Sequence, residues 1–281
     1  MKKKSASVWL IARWVILMTV LLAMYLPLLM IIVYSFSGAQ SVGGDFGGFT
    51  FSLYENLFNN EKLLAATKNT LIIGLISALL ATILGTTAAI GIHYMRRKAK
   101  SVAETSSQIT IVNAEIVTAM GFFLLLLFVR ETVGIPVSGG LVWLIIAHTV
   151  ITTPYVILTV SPRLKQLNPN LLEASMDLGA GPMRSLFTVM LPQLAGAMVS
   201  GFALAFTLSL DDFVITKMNS GQSIDTISTY VYAGLRHNLK NDIRALSTII
   251  FVLVLVVLIV VNIVKDRKLK QQKIKINGEL K

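Results

Sequence analysis

The sequence predicts an all-α integral membrane protein of six transmembrane helices, and three observations carry that prediction. Of the 281 residues 54% are apolar and only 14% are charged, against about a quarter charged in an ordinary soluble domain, and the mean hydropathy is +0.73. Six predominantly apolar stretches of about twenty residues, the length a helix needs to cross a bilayer core, run 14–36, 70–93, 108–129, 141–161, 195–215 and 246–264. The 25 Lys and Arg residues are divided unequally between the segments that join those stretches.

The first stretch does not read as a cleaved signal peptide, because it is too long and continues through Pro27 and Ile31 without a small-residue cleavage site. An even number of spans puts both termini on one side. Segments 1–13, 94–107, 162–194 and 265–281 hold 4, 4, 3 and 7 Lys or Arg, 18 of the 25, and the opposite segments 37–69, 130–140 and 216–245 hold the remaining 7. Excess positive charge marks the cytoplasmic side, so both termini are expected in the cytoplasm and the chain in the cytoplasmic (inner) cell membrane. The net charge of +11 brackets spans instead of forming one basic face, which excludes a nucleic-acid partner. No polar segment is large enough for a soluble core. The expected organisation is a cytoplasmic N-terminus at 1–13, one six-span transmembrane domain at 14–264, and a basic cytoplasmic tail at 265–281.

The inner segment 162–194 is more than a linker. Asn168 can cap a helix opened by Pro169; Leu171, Leu172, Ser175 and Leu178 recur at helical spacing, and Gly179 supplies a left-handed stop. Pro182 opens a second amphipathic stretch with Met183, Leu186, Phe187 and Met190 on one side, until Pro192 leads into the fifth span. Two short helices with an apolar ridge fit a groove in another protein; equally, they could pack under their own bundle.

Glu173-Ala174-Ser175, three residues, Gly179, nine residues, then Val189-Met190-Leu191-Pro192 resembles the EAA signature of binding-protein-dependent ABC importer permeases, with Ser175 and Val189 as its two departures. The runs 25–37, 48–58 and 206–216 are similar to the same permeases, so the resemblance covers roughly residues 14 to 265. It implies a MetI-like bundle and a coupling helix seated in a groove of a cytoplasmic ATPase, with Glu173, Ala174, Ser175, Gly179, Leu191 and Pro192 as the coupling residues. Leu208-Ser209-Leu210-Asp211-Asp212 resembles the second permease subunit of spermidine/putrescine importers. The partners this implies are a cytoplasmic ABC ATPase dimer, a second homologous permease subunit, an extracytoplasmic substrate-binding protein and a polyamine substrate, all at the lipid bilayer.

Three carboxylates, Glu115, Asp211 and Asp212, fall inside or at the edge of spans, where charge costs about 2.5–3.5 kcal/mol even on the lenient insertion scale. Counted along their helices at about 1.5 Å per residue, Glu115 belongs near the inner boundary and Asp211 and Asp212 near the outer mouth. Acidic groups at two depths without a basic residue in mid-span suit a cation. Thr207 with Asp211 and Ser209 with Asp212 share helix faces, which makes Glu115, Ser209, Asp211 and Asp212 the candidate substrate pathway. Tyr155, Tyr230 and Tyr232 could add cation–π contacts or belong to the interfacial belt. Two alternatives stay open: Asp211 and Asp212 as caps of the following turn, and Glu115 as part of a hydrogen-bonded network with Asn113 and Thr118. Gly85, Ala89, Ala197 and Gly201 permit close helix packing.

His93, His148 and His237 share no metal-ligand spacing and read as boundary or packing residues. With no cysteine, thiolate metal sites and thiol nucleophiles are excluded. No GxxxxGK[ST] loop, H-E-x-x-H or G-x-S-x-G occurs, so the chain is expected neither to hydrolyse ATP itself nor to need a cofactor. An ABC permease for another solute and a proton-coupled secondary transporter are the alternatives to a polyamine permease.

Overall fold

The computed structural model describes residues 2–38, 45–132, 134, 139–221, 224–236, 243–252 and 255–256. Residues 253–254 and 257–264 of the sixth apolar stretch, the tail 265–281 and His237 lie outside the described residues. The chain forms two compact units, one of Met1–Glu61 with Gly234–Lys281 and the other of Lys62–Ala233.

In the first unit, α1 spans Lys2–Ser35 and its segment Ala12–Ser35 is long and apolar enough to cross a membrane. Pro27 lies inside it. A reversal at Gly47 and Gly48, both at positive φ (61° and 85°), returns the chain so that Thr50 N–H donates to Phe36 C=O at 2.8 Å. Phe36, Phe49, Phe51 and Tyr54 then gather as a ring cluster, Phe36 stacked on Phe49 at 5.5 Å. Helix α2, Ser52–Asn59, buries Leu53 and Leu57. The sixth stretch is seen as the apolar helix Ile243–Val252, in which Arg244 is buried and donates to Tyr34 C=O.

The second unit is a helix bundle: α3 (Glu61–Tyr94), α4 (Arg97–Val112), α5 (Glu115–Glu131), α6 (Leu141–Gln166), the short α7 (Leu171–Asp177), α8 (Pro182–Ser185), a π-helical turn (Leu186–Met190), α9 (Leu191–Asp211), α10 (Val214–Asn219) and α11 (Ile227–Arg236). Its core forms where α3, α6 and α9 meet at small residues. Val156 is fully buried between Gly85 and Gly201. A Cβ on Gly85 would fall 2.6 Å from Val156 Cβ, and one on Gly201 would fall 3.2 Å from Val156 Cγ1. In a bilayer, where lipid is as apolar as the helices, such close approach gains the dispersion contacts that hold a bundle together. Ala78, Ala81, Ala89, Val160, Leu194 and Ala205 extend this core. A smaller cluster of Ala119, Ala147 and Ile215 joins α5, α6 and α10.

The helices depart from the sequence expectation at four places. The third stretch, 108–129, is no single helix: α4 and α5 meet at a 102° bend. Asn113 and Ala114 are extended there (ψ 143° and 130°), and the Asn113 amide donates to Thr118 Oγ1 at 3.0 Å, the local side-chain bonding by which Asn competes with helix. Among the described residues the candidate spans number four, or five with the bent pair as one; most of the sixth stretch lies outside the described residues. Helix α7 begins at Leu171, not Pro169, because Asn168 Oδ1 instead accepts from Asn170 N–H at 3.0 Å, an Asx-turn ahead of the helix. Pro192 does not interrupt the chain. Pro182–Asp211 runs as one helix of 30 residues, and Leu191 N–H reaches back five residues to Leu186 C=O in the π-turn that precedes the proline. The outer segment 216–245 is no plain loop, since it contains the end of α10 and all of α11.

Candidate functional site

The site is made by the way α9 ends. After Asp211 the backbone of Asp212 turns extended (φ −61°, ψ 127°), and α10 restarts two residues later. Asp212 bridges that elbow. Its carboxylate accepts from Ile215 N–H at 3.3 Å, from Thr216 N–H at 2.8 Å and from the Thr216 hydroxyl at 2.8 Å. These are the free amides of a helix start, which a carboxylate both satisfies and favours electrostatically. Asp212 is only 8% exposed.

Behind it stands His148 of α6, 3% exposed. Its Nε2 lies 3.1 Å from Thr216 Oγ1 and 3.4 Å from Asp212 Oδ2, and its Nδ1 lies 2.7 Å from Ser209 Oγ. Ser209 meets Ser77 Oγ of α3 at 3.2 Å, and Ser77 donates to Ile73 C=O at 2.6 Å. One polar chain therefore ties α3, α6, α9 and α10 together through their cores. On the far side of α10, Asn219 accepts from Trp143 Nε1 at 3.1 Å and donates to Ala119 C=O at 3.2 Å, which anchors α10 to α6 and α5. Every buried polar group in these networks has a partner, the condition under which such networks rigidify a fold.

These elements enclose a cavity of about 390 Å³ whose polar lining includes Glu115, His148, Tyr155, Ser209, Asp211 and Asp212. No Lys or Arg lines it. The four residues expected along the pathway thus lie in one cavity. Glu115 was expected near the inner boundary and the two aspartates near the outer mouth, but Glu115, the first residue of α5 after the bend at Asn113–Ala114, lines the same cavity as Asp211 and Asp212. Like charges in one cavity repel, and a cation among them relieves the repulsion. Asp211 is exposed to the cavity and makes no hydrogen bond or ion pair among the described residues.

The hydroxyls are arranged differently from the helix-face expectation. Ser209 turns to His148 and Ser77, not to Asp212, and Thr207 donates to Ala203 C=O at 2.8 Å outside the cavity lining. Of the three tyrosines Tyr155 lines the cavity, whereas Tyr232 packs on Phe213 with ring centroids 4.5 Å apart and Tyr230 is not among the lining residues. Asp212 does cap the next helix, one of the two readings its sequence allowed, but it is buried there and not in water. His148 is the residue that sequence reasoning passed over. The signal was present, since an ionisable side chain in the middle of a span is a functional candidate by default. Among the described residues no group of three His, Asp or Glu side chains is placed to hold a metal.

In the segment 162–194, Glu173 and Ala174 are exposed on α7. The helix ends in a Schellman motif: Ala180 N–H bonds Ser175 C=O at 3.2 Å and Gly179 N–H bonds Met176 C=O at 2.9 Å, with Gly179 at φ 87° as that cap requires. Ser175 Oγ lies 2.9 Å from Ser185 Oγ, which is fully buried, so the hydroxyls clasp α7 to α8 across the glycine corner. Leu178, Met183 and Phe187 are 90%, 69% and 62% exposed, an apolar ridge left uncovered by the unit. Leu191 and Pro192 sit where the π-turn passes into α9.

The family model for the binding-protein-dependent transport system inner membrane component matches residues 10–267. The putrescine transport system permease protein PotI of Escherichia coli K12 is 33% identical over 239 residues, 85% of each chain. The spermidine/putrescine transport system permease protein PotC of the same strain is 32% identical over 248 residues, 88% of this chain and 91% of its own. Among solved structures, a bacterial ABC transporter involved in import of the acidic polysaccharide alginate superposes with a TM-score of 0.70 at 17% identity, covering 93% of this chain and 97% of that one. The chain is a multi-pass membrane protein that belongs to the family of binding-protein-dependent ABC importer permeases.

Proposed function

We propose that this permease imports polyamines, spermidine and putrescine, across the cytoplasmic membrane. The observation that carries the reading is the acidic cavity at the α9–α10 elbow: Glu115 and Asp211 open to it, Asp212 buried at its wall, and no cationic residue in its lining. A polyamine presents ammonium groups strung along methylenes, and carboxylates can replace the water around each ammonium while Tyr155 offers a ring face. The relatives named as putrescine and spermidine/putrescine permeases support this solute. The alginate importer of similar fold shows that the fold alone does not choose a solute, so the choice rests on the cavity.

In this reading the chain is the transmembrane subunit of an assembly with a second permease, two cytoplasmic ATPase subunits and an extracytoplasmic binding protein. It crosses the membrane six times in a domain at 14–264, with both termini in the cytoplasm. ATP binding closes the ATPase dimer, the motion enters through Glu173, Ala174, Ser175 and Gly179 and passes along the helix that begins at Pro182 through Leu191 and Pro192, and the bundle opens outward. Glu115, Ser209, Asp211 and Asp212 line the route of the cation inward.

The test is ATP-dependent uptake of labelled spermidine and putrescine by the assembled transporter, with an uncharged sugar and an acidic oligosaccharide as comparison solutes. Saturable uptake of the diamine or triamine alone supports the reading. Uptake of either comparison solute with no polyamine transport contradicts it.

A further inference from the structure

The polar chain behind the cavity fixes where protons sit. The Thr216 hydroxyl donates to Asp212 Oδ2 at 2.8 Å, so its single hydrogen is committed and its oxygen can only accept. His148 Nε2, 3.1 Å away, must then be the donor. The same Nε2 faces Asp212 Oδ2 at 3.4 Å, another group that accepts. Hydrogen-bond bookkeeping of this kind is the means by which an imidazole tautomer is assigned, and here it places a proton on Nε2. On the opposite edge of the ring Nδ1 is held by Ser209. With both nitrogens engaged and the side chain 2% exposed, the ring has one orientation.

That orientation has a consequence for the three carboxylates. Asp212 receives two backbone N–H groups, one hydroxyl and the facing imidazole, which takes up most of its acceptor capacity. Asp211, one residue earlier, has no partner among the described residues, and Glu115 stands exposed at the start of α5. We propose that His148 is a positioning residue of the cavity: through its Nε2–H it locks Thr216 and Asp212 as the clamp of α10, so that Asp212 is withheld from the solute and Glu115 with Asp211 form the pair that receives the cation. The assignment of a cation to that pair rests on the polyamine reading; the clamp itself does not.

Two variants separate placement from bulk. His148→Gln keeps an amide N–H near the position of Nε2, and His148→Asn keeps only the polar edge toward Ser209. In the purified, assembled transporter in lipid nanodiscs, hydrogen–deuterium exchange of the segment 213–219 reads the Ile215 and Thr216 amides that donate to Asp212. We expect exchange to rise about ten-fold in His148→Asn and to stay within about two-fold of native in His148→Gln. Equal behaviour of the two variants, or none in either, overturns the clamp whatever the transported solute. In spermidine uptake, His148→Asn is expected to raise KM about five-fold with the maximal rate within about two-fold, and His148→Gln to restore KM. A loss of maximal rate at unchanged KM in His148→Asn would overturn the positioning role. If the native transporter takes up no polyamine, the polyamine reading fails, and the exchange measurement still decides the clamp.

Discussion

The helix pair at 171–190 and the cavity where α9 meets α10 both break a helix and restart it, by opposite means. At the glycine corner the break is local: Gly179 at positive φ, a Schellman cap and Pro182 at the next helix start, with Leu178, Met183 and Phe187 left exposed. At the elbow no glycine or proline occurs. Asp212 turns the chain, and the restart is held by His148, 61 residues from Ser209 and 68 from Thr216 in sequence. The first corner leaves its apolar residues exposed on the unit, and the second is completed within its own bundle. A coupling element and a solute pathway differ in the same way, one offering an uncovered apolar ridge and the other a preorganised polar wall.

The largest effect belongs to the exposed corner. On the proposed coupling role, Glu173→Arg reverses charge on the docking face, and we expect it to cut uptake roughly 100-fold or more with normal abundance in the membrane, since a like-charge contact across an interface costs several kcal/mol. Uptake assays normalised by immunoblot check this, and near-native uptake would remove the coupling role from α7. A smaller effect belongs to the elbow. Thr216→Val keeps the side-chain shape but leaves His148 Nε2 and Asp212 short of a buried partner, with a stability loss of about 1–3 kcal/mol read as a lower midpoint in thermal unfolding of the assembled transporter. The smallest is Ser175→Ala. It removes one half-buried hydroxyl contact to Ser185 and restores the residue that EAA permeases usually carry, so we expect a loss of about 0.5–1 kcal/mol and uptake within about two-fold of native. If Ser175→Ala proved as costly as Thr216→Val, the contrast between a locally punctuated corner and a network-held elbow would not stand.

What could be read from the sequence follows the same division. Gly179 and Pro182 announce the corner between α7 and α8 because their backbone preferences act within one or two residues, and the structure has the left-handed stop and the helix start there. Asp211 and Asp212 were conspicuous as charge at a span's end, and Gly85 and Gly201 as small residues in apolar helices, where Val156 indeed packs. The bend at Asn113–Ala114 was harder to see. A single Asn in an apolar run lowers helix propensity only slightly, and what turns it outward is its bond to Thr118. That one break moves Glu115 from a separate depth to the cavity of Asp211 and Asp212. The tautomer and role of His148 are not legible at all without the partners that Ser77, Ser209 and Thr216 bring from three other helices.

The central claim is that Glu115 and Asp211 receive a cation, and it is tested most directly by initial rates of labelled spermidine uptake in Glu115→Gln, Asp211→Asn and the charge-preserving Asp211→Glu, at equal abundance and with ATPase association intact. The account expects KM to rise about ten-fold in each neutral variant, more in their combination, and to stay close to native in Asp211→Glu. Native KM in the combined neutral variant would contradict it, and would leave the acidic cavity as part of the fold's own scaffolding.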